Sequence, residues 1–381
     1  MLVCGLSQAA AIVYLPATAE IQAVFGASEA GVQFLLTAFI VPFSLALPFV
    51  GPISDRVGRR SIMLGGLCLF IAGNLLAALA PNFETLIVAR AIQGLGSCPI
   101  MILPRAMIRD MDAGPAAARA LTYTSMALSL SQIIAPVFGG LLLGLLGWAG
   151  GFYALAAISV PALLLVLRLP ETATGGGAAG KLVRSFMILL TIRRFVANAV
   201  GMGLLNGAFY AFFTAAPIVY MKLLGFSPQE FSIVMMLWGV GFFITGFVVT
   251  RTVSRISAHA TILAGGALNI ATAAYWIAMA IIESNPLYMV FPVMTFAAAN
   301  ALFVPRAMNV ALTAAPVEIA GAASALIALS QWGFSALGSA AASALPHETP
   351  LTVGLLMLAF ILLSLFAYLA GGKVPAATKG V

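Results

Sequence analysis

Long unbroken apolar runs joined by short charged turns constrain this chain more than anything else in it. The turn that shows this most sharply is Gly51-Pro52-Ile53-Ser54-Asp55-Arg56-Val57-Gly58-Arg59-Arg60. Its charges cannot rest in hydrocarbon, so it must face water between two membrane-crossing helices. The surrounding sequence is 62% hydrophobic and 8% charged over 381 residues, with mean hydropathy +1.10. Soluble domains carry about 25% charged residues, so the solvent for this fold is a bilayer. The apolar runs do not alternate with polar residues, which excludes a membrane β-barrel.

A spanning helix needs roughly 20 apolar residues. By that measure the chain divides into twelve spans, 3–24, 30–52, 61–80, 86–108, 121–146, 151–168, 195–221, 231–250, 261–282, 287–313, 320–344 and 351–371. The first run starts at Met1 without a basic leader and reads as a span, not a cleaved signal. Loop Lys and Arg gather on one side: Arg56, Arg59 and Arg60; Arg109 and Arg119; Arg168 to Arg194; Arg251 and Arg255; Lys373 and Lys379. Glu20, Glu29, Glu84, Lys222, Glu230, Glu283, His347 and Glu348 fall on the other. The basic side is cytoplasmic and holds both termini. Dispersed in this way, the net charge of +7 does not indicate nucleic acid. Cys4, Cys68 and Cys98 are far apart and read as buried thiols without metal spacing.

One connection is longer. Leu169 to Thr191 contains Thr174-Gly175-Gly176-Gly177-Ala178-Ala179-Gly180 and reads as a flexible linker. It separates a six-helix bundle over 1–168 from a second over 195–381, with the linker at 169–194. The bundles read as a duplication. Leu103-Pro104-Arg105-Ala106-Met107 recurs as Val304-Pro305-Arg306-Ala307-Met308, and the same offset carries Pro16 onto Pro217. Parallel repeats of this type place a substrate site near mid-membrane and reach alternating access by rocking.

The turn at 51–60 has the form Gly-x-x-Ser-Asp-Arg-x-Gly-Arg-Arg and follows the second span. It resembles the signature loop of the major facilitator superfamily. Arg90-Ala91-Ile92-Gln93-Gly94 is similar to that family's second motif, and Ala135-Pro136-Val137-Phe138-Gly139-Gly140 to its antiporter motif, with Ala135 in place of the usual Gly. Tyr14-Leu15-Pro16-Ala17, Arg105 to Asp110, Pro217-Ile218-Val219-Tyr220 and Gly321 to Ala325 extend the likeness to the bicyclomycin/chloramphenicol-resistance (Bcr/CflA-like) branch of drug:proton antiporters. The resemblance implies an all-α fold of twelve transmembrane helices in two pseudo-symmetric bundles, and proton-driven efflux of small amphipathic compounds. Two positions depart from that branch. Ile12 stands where an Asp is frequent, and Ala149 follows Trp148 where an Arg is frequent.

The first departure bears on mechanism, since an intramembrane carboxylate is the usual proton carrier. Glu20 and Asp110 are the candidates available, both near span ends. The membrane interior instead holds Arg90, Arg105 and Arg306. In the superfamily spans one, four, seven and ten line the cavity, which points to Tyr14, Met101, Arg105, Asn206, Phe209, Tyr210, Phe213, Asn300 and Arg306 as substrate contacts. Gly51, Asp55, Arg56, Gly58, Arg59, Arg60, Arg90, Asp110, Pro136, Gly139, Gly140 and Glu318 read as the conformational switch. Gly51 and Gly58 are expected to make the reversal, and Asp55 to accept hydrogen bonds at a helix start. Glu318, at the start of span eleven, is its expected charged partner on the cytoplasmic side.

These readings give a transporter and not an enzyme, since His259 and His347 lie at opposite membrane faces and build no acid–base pair. Its partners are the bilayer, a small molecule and protons. It needs no cofactor, works as a monomer and belongs in the inner membrane. The alternative is a carrier of an anionic solute clamped by Arg105 and Arg306.

Overall fold

A computed structural model describes residues 2–111, 114–173, 179–252, 256–282, 285–346 and 349–371. The glycine run at 174–178, Arg255, Glu283, His347, Glu348, Lys373 and Lys379 lie outside the described residues. The helices are α1 (Leu2–Ile12), α2 (Thr18–Phe25), α3 (Glu29–Val57), α4 (Arg59–Ala78), α5 (Phe83–Met111), α6 (Pro115–Leu146) and α7 (Gly150–Val166). They continue with α8 (Ala179–Thr191), α9 (Arg193–Pro217), α10 (Pro228–Thr252), α11 (Ala258–Ile281), α12 (Phe291–Ala314), α13 (Ala320–Ala344) and α14 (Pro350–Ala370). No strand occurs among the described residues.

Ten helical segments among the described residues are long and apolar enough to cross a membrane. The two other expected crossings have local causes. The sixth, α7, is shorter, at 17 residues. The first is broken into α1, a 3-10 turn at Leu15–Ala17 and α2. Proline lacks an N–H, and its ring strikes the carbonyl four residues earlier. For Pro16 that carbonyl belongs to Ile12, where α1 stops. Pro217 ends α9, and the backbone widens into a π turn at Ile218–Leu223. Leu224 N–H reaches back to Val219 at 3.0 Å. The proline pair noted in the sequence thus marks two departures from regular α-helix, a break at Pro16 and a π turn after Pro217. Pro42, Pro48, Pro104 and Pro305 instead lie inside continuous helices.

Two expectations are corrected. The charged turn is not a ten-residue loop. Gly51, Pro52 and Asp55 remain helical in α3, and α4 begins at Arg59. Gly58 alone leaves helical geometry, at φ 115°, a conformation that other residues resist. Gly51 takes no part in the reversal. The linker is also not wholly flexible, since its second part is α8. Val183, Met187 and Leu190 recur there at helical spacing, and the sequence reading let the neighbouring glycines decide.

The chain forms two compact units. The first contains Met1–Ala179, Phe213–Gly239 and Ser339–Pro346; the second contains Gly180–Phe212, Val240–Gly338 and His347–Val381. In the first, α4 and α5 pack along much of their length and α3 packs on α5. In the second, α11 packs on α12 and α14. Trp276 anchors that core. Its indole N–H donates to the Pro350 carbonyl at 2.8 Å, and Phe212 lies edge-on to its ring at 5.7 Å.

Candidate transport site

Arg90 organises the first unit. It sits on α5 about two turns past Phe83, and 0% of it is exposed. Among the described residues it is the one charged side chain so fully buried, and no Asp or Glu joins it. Its Nε donates to the Leu35 carbonyl of α3 at 3.2 Å, and Nη1 donates to the Ala10 carbonyl of α1 at 2.9 Å. Nη1 also donates to Gln93 Oε1. Gln93 Nε2 passes the chain of bonds to Asn74 Oδ1 of α4 at 2.7 Å. The guanidinium lies 4.4 Å from the Tyr14 ring centroid and 4.7 Å from that of Phe39. One side chain therefore ties α1, α3, α4 and α5 together, and ring faces lower the cost of burying its charge.

The antiporter motif meets the same helix break. Gly139 of α6 lies against the Val13 carbonyl, where an added Cβ would collide with backbone. Val13 stands between α1 and the Pro16 turn, so only glycine lets α6 approach the break this closely. Gly140 faces the Ser232 side chain of α10, and Pro136 is buried within α6.

A cavity of about 280 Å³ opens beside these two departures from regular helix. Tyr14, Gln22 and Gln33 line it together with Thr214, Pro217 and Met221. Glu29 and Lys222 form an ion pair at its wall. Beneath it Thr37 and Thr214 both reach the Ser339 hydroxyl, at 2.7 and 2.9 Å. Tyr14, predicted from sequence as a contact, thus has two neighbours, this cavity and Arg90.

The charged turn lies at the other end of α3. Asp55 pairs with Arg59 at 3.2 Å, and Arg59 Nε contacts Asp110 Oδ2 at 2.5 Å. Arg60 donates to the Leu167 carbonyl, and Arg56 is exposed. The expected helix-start acceptor was Asp55. The structure corrects this: Glu171 Oε1 accepts from the Arg59 N–H at 2.7 Å and the Arg60 N–H at 3.3 Å. It also accepts from the amides of Thr172 and Ala173 at 3.0 and 3.1 Å. Burial pushes this carboxyl up, but the four amides together outweigh it and hold it below the usual carboxylate range. Glu171 is 112 residues from Arg59, and no local pattern marks it.

In the second unit Asn206 donates to Ser335 at 3.2 Å. Tyr210 packs on Phe209 and Trp332, with ring centroids 5.0 and 5.6 Å apart. Asn206 and Tyr210 thus both meet α13, at Ser335 and Trp332. Asn300 donates to the Phe296 carbonyl of its own helix at 2.9 Å. Phe213 lies in the first unit, edge-on to Trp238 at 5.9 Å. Arg105 in the first unit and Arg306 in the second are half-buried. The Met101 carbonyl accepts the Cys4 thiol at 3.5 Å. Glu318 is exposed in a 3-10 turn at Val317–Ile319.

Comparison with known proteins agrees with this architecture. The profile of the Major Facilitator Superfamily matches residues 1–339. An uncharacterised MFS-type transporter, YdgK, of Bacillus subtilis is 34% identical, over 62% of this chain and 61% of its own length. Multidrug resistance protein D of Escherichia coli is 28% identical, over 62% and 60%. The chain thus spans about three fifths of the length of these two. A bicyclomycin resistance protein homologue of Haemophilus influenzae is 25% identical over 93% of this chain and 90% of its own, in line with the branch that the motifs indicate. The structure of a D-xylose–proton symporter superposes with TM-score 0.79 over 98% of both chains at 15% identity, which shows the fold alone. The chain belongs to the major facilitator superfamily of multi-pass membrane transporters.

Proposed function

We propose that the protein exports small amphipathic compounds in exchange for protons, by alternating access between bundles at 1–168 and 195–381 joined by the 169–194 connection. The observation that carries this reading is Gly139 of the antiporter motif packed on the Val13 carbonyl, beside the break that Pro16 makes. A helix interrupted there, and held by Arg90 one turn away at Ala10, is a two-state element of the kind a transport cycle needs. The names of the relatives support drugs as the substrate class. The charged turn and Asp110 form the cytoplasmic part of the switch, with Glu318 as a partner when that side closes. Substrate contacts are Tyr14, Phe209, Tyr210 and Asn206, a mixture of aromatic area and few polar groups suited to varied ligands. Phe213, Met101, Asn300, Arg105 and Arg306 complete the proposed set. Both termini are cytoplasmic, the membrane is the inner one, and the unit of function is the monomer.

The half-buried state of Arg105 and Arg306 favours one further reading, a carrier of an anionic organic solute. Bacteria lacking their own efflux pumps separate the two. Expression should raise resistance to neutral phenicols and cationic dyes, and Gly139→Ala should abolish the effect at equal protein level. Uptake or release of carboxylates alone, lost in Arg306→Gln, would replace export of drugs with anion transport.

A further inference from the structure

The second unit holds a groove unconnected with any residue assigned above. Its volume is about 310 Å³, and its walls are almost wholly apolar. Phe195 and Ala199 of α9 form one side, and Leu326, Gly333 and Leu337 of α13 the other. Gly333 and Leu337 are exposed, so the groove opens outward from the unit. Leu190, the penultimate residue of α8, also lines it.

Helix α8 is amphipathic. Val183, Met187 and Leu190 follow one another at helical spacing and are 64%, 63% and 54% exposed. Such residues would cost free energy in water. Arg184 is exposed in the same helix, Arg193 is exposed two residues beyond it, and Lys181 and Arg194 belong to the same stretch. No Asp or Glu occurs between Glu171 and Glu230. Because α9 enters the membrane at Arg193, α8 is held within a few residues of the bilayer surface. A basic helix with an exposed apolar face lies in the headgroup layer. Anionic headgroups are the complementary surface there.

We propose that α8 and the α9–α13 groove together form a binding site for one anionic phospholipid, with its phosphate held by Arg184 and Arg193 and an acyl chain lying in the groove. Arg193 stands two residues before Phe195 and Arg184 six before Leu190, both of which line the groove, so basic and apolar parts of the site are joined through α8 and the start of α9. The occupant is a lipid of the surrounding bilayer. The site is independent of the transported substrate and of the drug-export reading.

The test is native mass spectrometry of the full chain, released from nanodiscs that contain equal phosphatidylglycerol and phosphatidylcholine. The wild type should retain one phosphatidylglycerol in preference to phosphatidylcholine. Each of Arg184→Gln and Arg193→Gln should lower that preference about fivefold, the effect of one basic residue near an anionic surface. Gly333→Leu should displace the retained lipid of either headgroup. An added Cβ at Gly333 meets nothing within 4 Å, so the backbone accepts a side chain there, and a leucine at this lining position takes up groove volume. A melting-temperature control shows that all three variants fold. Equal retention of both lipids by the wild type would overturn the proposal. So would unchanged retention in Gly333→Leu, or displacement of the lipid by a neutral phenicol, which would make the groove a drug site.

Discussion

Arg90 and Arg59 lie in the same unit and carry the same charge, yet they are stabilised in opposite ways. Arg90 is sealed inside the unit, within a helix long and apolar enough to cross a membrane, without a carboxylate. Backbone carbonyls, an amide and two ring faces take its charge. Arg59 stands at the membrane surface with its side chain 19% exposed, between Asp55 and Asp110. An arginine with only neutral partners cannot be released cheaply, because each lost bond leaves a buried carbonyl unmet. An arginine between carboxylates at a wet surface can exchange partners at little cost. On the proposed function, Arg90 is the fixed frame on which the switch pivots and Arg59 is its exchangeable contact.

The largest test of that contrast is Arg90→Ala. It removes the bonds to the Leu35 and Ala10 carbonyls and to Gln93 Oε1 that tie four helices together. We expect roughly 3 kcal/mol of lost stability, read as a lower melting temperature in detergent, together with loss of transport. If Arg90→Ala melted like the wild type, the frame assignment would be wrong. Gly139→Ala comes next. Its Cβ meets the Val13 carbonyl, so overpacking should cost about 1–3 kcal/mol. Transport should fall tenfold or more, which corresponds to about 1.4 kcal/mol of barrier.

Arg59→Ala should do the reverse of Arg90→Ala. Stability should change by less than about 1 kcal/mol, as for exposed ion pairs, while transport falls. Spin-label distances across the cytoplasmic face would register the altered balance of states. A large melting shift would place Arg59 in the frame instead.

Glu171→Gln is the smallest effect and depends on pH. The folded carboxyl titrates below its ordinary value. Its contribution is therefore complete above the unfolded value of about 4.3 and disappears as pH falls through the lower, folded one. The variant should melt below the wild type at neutral pH, and the two curves should converge only in acid under about pH 4. A gap that closed near pH 6 would show that another group is titrating.

Much of this was legible in the sequence. Apolar length located the crossings, while the proline pair, read only as a sign of duplication, also marks the two departures from regular helix that chain-local rules explain. The motif also singled out Arg90, Pro136 and Gly139. What stayed hidden was long-range pairing. Glu171 caps a helix far away in sequence, and its own neighbours carry no sign of that role. The charged turn looked like a loop because polar residues and glycine were weighed above helix continuity. At a membrane surface a helix can run on into water, so α3 reaches Val57 and the turn shrinks to Gly58. The bond of Asn300 to Phe296 within α12 is likewise invisible without coordinates.

Proton flux in proteoliposomes tests the central claim most directly. Purified protein would be reconstituted with a pH-sensitive dye inside, and a neutral phenicol or a cationic dye added against an imposed proton gradient. The account predicts that these compounds collapse the gradient with wild-type protein and fail to do so with Gly139→Ala. A gradient unmoved by them, but collapsed by carboxylates through wild-type protein and not through Arg306→Gln, would contradict drug–proton exchange.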